Sequence, residues 1–386
     1  IGMSAVIFIP DDTAKTGYPQ PLMLQSVMGA PLLAWLANAL FDSGVGRFFL
    51  VCHDRYVEAA RACLPAEAEV MTTMDSDPAD LLHVFLSTAE DAEHTITVVT
   101  GPAVYLPQLA PQAAGRFPRV YGVSREELMQ ALDEHFSFAR FLLDNGSPMN
   151  EEQAMYSVAS PAELPEIAGL LQRNRLLALA RTGVEIYDAS SCYVEPSVRV
   201  APGARLLPGT MLRGKTVIGE EAVIGPWSVI DDSVIGARAV VNASQVRDSR
   251  VGQDAVVGPY ASVRGGCELG RSVRAGSFVE LKNARLGENT QVPHLAYLGD
   301  TEAGANCNFG CGVTTANFDR VQKHETVVGE GAFIGCNTAL IAPLQVGSGA
   351  YIGAGSTITE DVPAQALGIA RARQSNKKEW AAKHKK

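Results

Sequence analysis

The sequence predicts two domains of different class: an α/β domain of the doubly wound kind, then a parallel β-helix built from hexapeptide repeats. Three observations lead there. Val194, Val200, Leu206, Leu212, Ile218, Ile224 and Ile230 stand six residues apart without a break. Many such aliphatics precede glycine, as in Ile218-Gly219, Ile224-Gly225, Ile334-Gly335 and Ile352-Gly353, and the 36 glycines concentrate after position 200. Ahead of residue 160, short apolar runs alternate instead with stretches of helical length and spacing.

In chain order, Ser4–Ile9, Phe48–Cys52 and Ile96–Thr100 read as buried parallel strands, with helices over Pro31–Phe41 and Arg55–Cys63. The first strand-to-helix loop, Pro10–Gly17, has one glycine, a proline without an N–H, and two carboxylates where a phosphate would sit. Such a loop does not suit nucleotide binding, which needs close backbone approach. Ala162–Gly183 is helical, with Ile167, Leu170, Leu171, Leu177 and Ala178 near one face, and reads as a linker. Expected boundaries are an α/β domain at 3–160, a linking helix at 161–187, the β-helix at 188–370 and a basic tail at 371–386. The six-residue register slips near Ile235, resumes at Val251, and breaks between Thr315 and Val328, where a loop should project.

Composition narrows the function classes. A net charge of −10 argues against sequence-independent nucleic-acid binding, which needs a basic face. The longest helical apolar stretch is too short for a bilayer, so no membrane partner is expected. Seven cysteines without metal-type spacing suggest a reduced, cytoplasmic protein and no metal site. Cys307 and Cys311 read as small side chains packed in narrow coils.

Against this aliphatic background, one stretch is off pattern. Glu280, Lys282, His294 and Tyr297 interrupt the repeats, with Arg264 upstream and Asn308, Asn317 and Lys323 downstream. A solenoid needs none of them to fold. Cations gathered near one histidine suit a phosphate-bearing substrate and a general base. Six other histidines, His135 among them, read as incidental.

Val279–Gly287, His294–Asp300, Thr315–Asp319 and Gln374–Trp380 resemble the acetyltransferase half of a bifunctional family: N-acetylglucosamine-1-phosphate uridyltransferase/glucosamine-1-phosphate N-acetyltransferase. The resemblance implies a left-handed β-helix, a nucleotidyltransferase-like first domain and a homotrimer. It implies acetyl-coenzyme A as cosubstrate and an amino sugar phosphate, glucosamine-1-phosphate, as acceptor. Carried over residue by residue, it makes His294 the base with Glu280 orienting it. Arg264, Lys282, Tyr297, Asn308 and Lys323 become sugar-phosphate contacts, and Asn317, Phe318, Cys336, Ala354 and Arg371 coenzyme contacts. An N–H near Gly310-Cys311-Gly312 is the expected oxyanion donor.

Departures from that pattern are specific. Phe318 stands where tyrosine is usual, Cys336 where serine is, and Cys311 in a segment normally Gly-Ala-Gly. In the first domain, Pro19-Gln-Pro-Leu22 has Gln20 in place of a lysine, the glycine-rich loop is missing, and Thr100-Gly-Pro-Ala103 lacks the carboxylate for magnesium. Uridyl transfer is therefore expected to be lost. An acyltransferase for another amino sugar or sugar nucleotide, and a non-catalytic binding relative, are the alternatives.

Overall fold

The computed structural model describes residues 3–74, 78–89, 93–109, 119–134, 137–149 and 153–384, so His135 lies outside it. The chain divides into two compact units, residues 1–199 with 212–214, and residues 200–211 with 215–386.

The first unit is a layered α/β domain. In chain order it has β1 (Ser4–Phe8), α1 (Leu32–Asp42), β2 (Arg47–Val51), β3 (Glu69–Thr73), α2 (Ala79–Ser87), β4 (Thr95–Val99), β5 (Val120–Ser124), α3 (Arg125–Asp133), α4 (Phe138–Asn145), β6 (Ser147–Met149) and α5 (Leu164–Arg181). The sheet order is β3-β2-β1-β4-β5-β6, parallel from β3 to β4 and antiparallel beyond. Alternation along the strands feeds two cores. Ala5, Ile7, Phe48 and Leu50 face α1, while Val6, Phe49, Ile96 and Val98 pack with Leu82, Phe85, Leu128 and Phe141. Helices on both faces make this the doubly wound arrangement expected.

Helix α5 departs from its sequence reading. Ile167 and Leu171 are buried, but Leu177 is exposed, and Gln172, Asn174 and Arg175 lie inside. Each of these side chains has a partner, although Arg175 Nε is left without one among the described residues. Gln172 donates to the Cys192 carbonyl, Asn174 accepts from Gln108 N–H, and Arg175 donates to Asp42 and to the Val198 carbonyl at 2.5 Å. Burial of a paired guanidinium is tolerable where burial of a bare one is not. Apolar periodicity therefore misplaces this face.

The second unit is a parallel β-helix. Leu206, Ile218, Ile224, Ile230, Val257, Val263, Ile334 and Ile352 all point into it and are buried. The register slip at Ile235 is not a break in the coil. Ile235, Val246, Val251, Leu286 and Ala303 remain buried, each five rather than six residues after the last inward side chain. Four of these shortened corners turn on Asp232, Asp248, Asn283 and Asp300, with φ between 44° and 47°. Asn and Asp adopt that left-handed conformation more readily than other side chains. Among the described residues no helix is long and apolar enough to cross a membrane.

Candidate active site

The site is built on five successive coils of the second unit. Its strands are β7 (Ser262–Arg264), β8 (Arg274–Ser277), β9 (Glu280–Leu286), β10 (Gln291–His294), β11 (Tyr297–Ala303), β12 (Asn308–Phe309), β13 (Thr314–Ala316), β14 (Phe333–Ile334) and β15 (Ala339–Ile341). Pairing of β7 with β9 sets Arg264 beside Lys282, and pairing of β9 with β11 sets Glu280 beside Tyr297 and Lys282 beside Gly299. Side chains two residues apart share a face, so Arg264, Glu280, Lys282 and Tyr297 project together from the solenoid.

Gly299 is the floor of this cluster. A Cβ there would collide with Tyr297 Oη and lie 2.6 Å from Asn317 Nδ2, so only glycine lets both polar groups close over the strand. Asp300 follows it at the corner. Its carboxylate accepts from Asn317 Nδ2 at 2.6 Å and from Asn283 Nδ2 at 2.7 Å. Asp300 is a site residue the sequence reading missed as such. Its signal was an acid at the corner of a five-residue step.

Lys323 comes to the cluster from the projecting loop. The loop is ordered by Asp319, whose Oδ1 accepts from the amides of Val321 and Gln322, both at 2.7 Å, and whose Oδ2 meets His324 Nε2 at 2.7 Å. Those amides, Gln322 first, together with His324, hold the Asp319 carboxyl well below the usual carboxylate range. His324 is thus not incidental. The Lys323 ammonium beside Lys282, with a smaller repulsion from Arg264, pushes Lys282 below its ordinary value, while Asp300 acts in the opposite sense. Three cations share one small surface with two carboxylates, Asp300 set between amides and Glu280 paired to Arg264.

No hydrogen bond joins Glu280 to His294 among the described residues. Glu280 accepts from Arg264 Nε at 3.1 Å and Nη2 at 2.5 Å, leaving the imidazole across the corner. His294 ends a strand of a different face, and among the described residues no hydrogen bond reaches its ring. A carboxylate flanked by guanidinium is taken by the stronger charge-assisted pairing.

Register then reveals a column. Gln291 pairs with Asn308 and Tyr297 with Thr314, both 17 residues apart, which puts Cys311 at the place of His294 one coil on. Asn308↔Phe333 and Thr314↔Ala339 put Cys336 next, and Phe333↔Tyr351 and Ala339↔Thr357 put Ala354 after it. Arg371 closes the line, its Cδ 3.9 Å from where a Cβ of Gly355 would stand. With strands about 4.8 Å apart, the column from His294 to Ala354 runs about 14 Å. Asn308 is not brought to it. It shares a flat face with Gln291 and Phe333, at the far end of the strand from His294. Phe318 sits exposed on the loop, bridged to Lys323. The Gly310 and Gly312 amides are taken by the carbonyls of Ile334 and Leu295, both at 2.8 Å, whereas Cys311 N–H has no partner among the described residues.

Residues 325–360 match the bacterial transferase hexapeptide family (six repeats). Over 240 residues the chain is 42% identical to the bifunctional protein GlmU of Clostridium perfringens, covering 62% of this chain and 53% of that one. Over 221 residues it is 45% identical to the bifunctional protein GlmU of Brevibacillus brevis, covering 57% and 48%. Over the matched span this chain is similar to the GlmU proteins at 42–45% identity. The chain spans about half the length of the GlmU proteins it matches. The fold class agrees: an α/β domain followed by a left-handed parallel β-helix of hexapeptide turns.

The first unit has a different local chemistry. In the Pro10–Gly17 loop, Asp11 pairs with Thr13 and Arg55, and Asp12 accepts from Leu22 N–H at 2.9 Å. The Thr13 hydroxyl, then Arg55, holds the Asp11 carboxyl below its ordinary value. Both carboxylates are engaged in hydrogen bonds where a phosphate cradle would need free amides. Among the described residues no group of His, Cys, Asp and Glu could hold a metal ion.

Proposed function

We propose that the second unit is a coenzyme A-dependent N-acetyltransferase whose acceptor is an amino sugar phosphate, glucosamine-1-phosphate. One observation carries the reading: Arg264, Lys282 and Lys323 converge on a surface beside the corner that holds His294. The repulsion among them serves no folding purpose and is relieved by a bound dianion. Tyr297, over Gly299, supplies a hydroxyl donor for the sugar ring, and Asn317 beside it an amide for the coenzyme.

Acetyl transfer needs a free amine, because an ammonium has no lone pair. His294 takes the proton from the 2-amino group as its nitrogen attacks the thioester carbonyl. The Cys311 N–H donates to the developing oxyanion. The C–S bond then breaks, and the coenzyme leaves as thiol with the proton His294 has gained. The Cys336–Ala354–Arg371 end of the column receives the coenzyme, with the Arg371 guanidinium for its phosphates. The resemblance to the GlmU proteins supports the same acceptor and donor.

Measuring coenzyme release with glucosamine-1-phosphate, glucosamine and a panel of other amino sugars tests this. Release should require the phosphate. Equal rates with and without it would discard the cation cluster as a phosphate site, and release only with a sugar nucleotide would move the acceptor to that class.

The first unit, on this reading, has no uridyl transfer left. Its loop carboxylates are occupied, and residue 102 is proline where magnesium needs a carboxylate. Incubation with UTP, magnesium and N-acetylglucosamine-1-phosphate should release no pyrophosphate above an enzyme-free control.

A further inference from the structure

Five of the seven cysteines are buried, and only Cys311 and Cys336 reach solvent. They are neighbours on successive coils. The pairings Asn308↔Phe333 and Thr314↔Ala339 bracket them with one offset, so each occupies the same corner position. The backbone agrees, since Asn337 N–H donates to the Cys311 carbonyl at 2.7 Å. The Cys336 thiol also leans back along the column. Its Sγ lies 3.0 Å from where a Cβ on Gly310 would stand, a space that exists because residue 310 is glycine. Parallel strands lie about 4.8 Å apart, within the roughly 4.4–6.8 Å of Cα separation that a disulfide spans.

We propose that Cys311 and Cys336 form a reversible intrachain disulfide that closes the corner column to the acyl donor. The oxidant is a low-molecular-weight disulfide. One cysteine thiolate attacks it and expels half as a thiol. The second cysteine loses its proton and displaces the other half, so two protein thiols are oxidised and the small disulfide is reduced to two thiols. The bridge lies between His294 and Ala354, where the acetyl group must pass, so oxidation shuts transfer. That consequence rests on the acetyltransferase reading; the cross-link itself does not.

The full chain is equilibrated with graded ratios of oxidised to reduced glutathione. Accessible thiols, non-reducing peptide maps and coenzyme release are then read, before and after added reductant. Both accessible thiols should vanish together, one cross-linked pair should carry Cys311 and Cys336, and release should fall and return on reduction. Cys311→Ala should give no cross-linked pair, and its release, whatever its basal rate, should not change with the glutathione ratio. Separate glutathione adducts on each cysteine, a different cross-linked pair, or thiols that survive oxidation would each overturn the bridge. A cross-linked protein with undiminished release would overturn the closure. A cross-link in a protein that acetylates no acceptor would leave the bridge standing and remove the acetyltransferase reading instead.

Discussion

His294 and Lys282 do different jobs in the proposed reaction, and single substitutions separate them. A positioned base contributes about 10²–10⁴-fold, so His294→Ala should lower kcat by that order with little change in substrate affinity. Retention of more than about a third of kcat, far outside that range, would make the histidine structural. Lys282 is held below its ordinary 10.5 chiefly by Lys323. The sign follows from linkage. Below the depressed value both folded and unfolded chains carry the proton, and the repulsion destabilises the fold in full. Between that value and 10.5 the unfolded chain binds more protons, so stability rises with pH. Lys282→Met should therefore raise Tm at neutral pH, flatten that alkaline rise, and weaken inorganic phosphate binding measured by calorimetry. A lower Tm with unchanged phosphate affinity would contradict the shared-anion reading. These residues were legible because charged side chains stand out in an aliphatic repeat. The Glu280–Arg264 pairing was not, since sequence spacing cannot tell which of two neighbours a carboxylate will choose.

At the scale of elements, the repeat is legible through its period and its exceptions through their chemistry. The projecting loop showed itself because the inward Thr315 and Val328 stand 13 positions apart instead of six. Its internal order did not, because Asp319 gathers two amides and an imidazole only once the turn has formed. The five-residue corners read as lost register, although Asp232 and Asp300 could have marked them as left-handed turns. Helix α5 hid its polar face for a similar reason, as periodicity counts apolar residues and not partners. The loop gives a sharp prediction. Asp319→Ala releases the Val321 and Gln322 amides and frees Lys323 to wander, so KM for the sugar phosphate should rise well before kcat falls. The Asp319 carboxyl is depressed, so its ordering is complete above the usual 3.8 and fails only as pH drops through the depressed value. Kinetics of the variant at neutral pH should then resemble wild type with a slackened acceptor site. An unchanged KM would separate the loop from the acceptor.

On the scale of the whole molecule, one corner of the β-helix is unfinished in a single chain. Trp227, Tyr260, Phe278 and Leu295 stand there in left-handed conformations, φ 55°, 59°, 59° and 38°, and are 71%, 64%, 61% and 59% exposed. The Tyr260 and Phe278 rings stack at 5.4 Å. Bulky residues in that backbone region cost on the order of 1–3 kcal/mol each, and leaving them in water gains nothing in return. The ridge ends at Leu295, beside His294, while Asn308 faces away along the strand from the cation cluster. On the proposed trimer, a neighbouring copy brings its Asn308 to that cluster, with its own ridge covered in the same contact. Closed cyclic assemblies repeat one such contact, and a triangular solenoid suits three copies. Light scattering should therefore give a trimeric mass at micromolar concentration. Phe278→Asp places a charge in the middle of the ridge and should yield monomers with unchanged far-ultraviolet circular dichroism. On the proposed function those monomers should also lose acetyl transfer, because His294 and Asn308 no longer meet across the contact. A wild-type chain that is monomeric and fully active would sink this arrangement and require Asn308 to be idle.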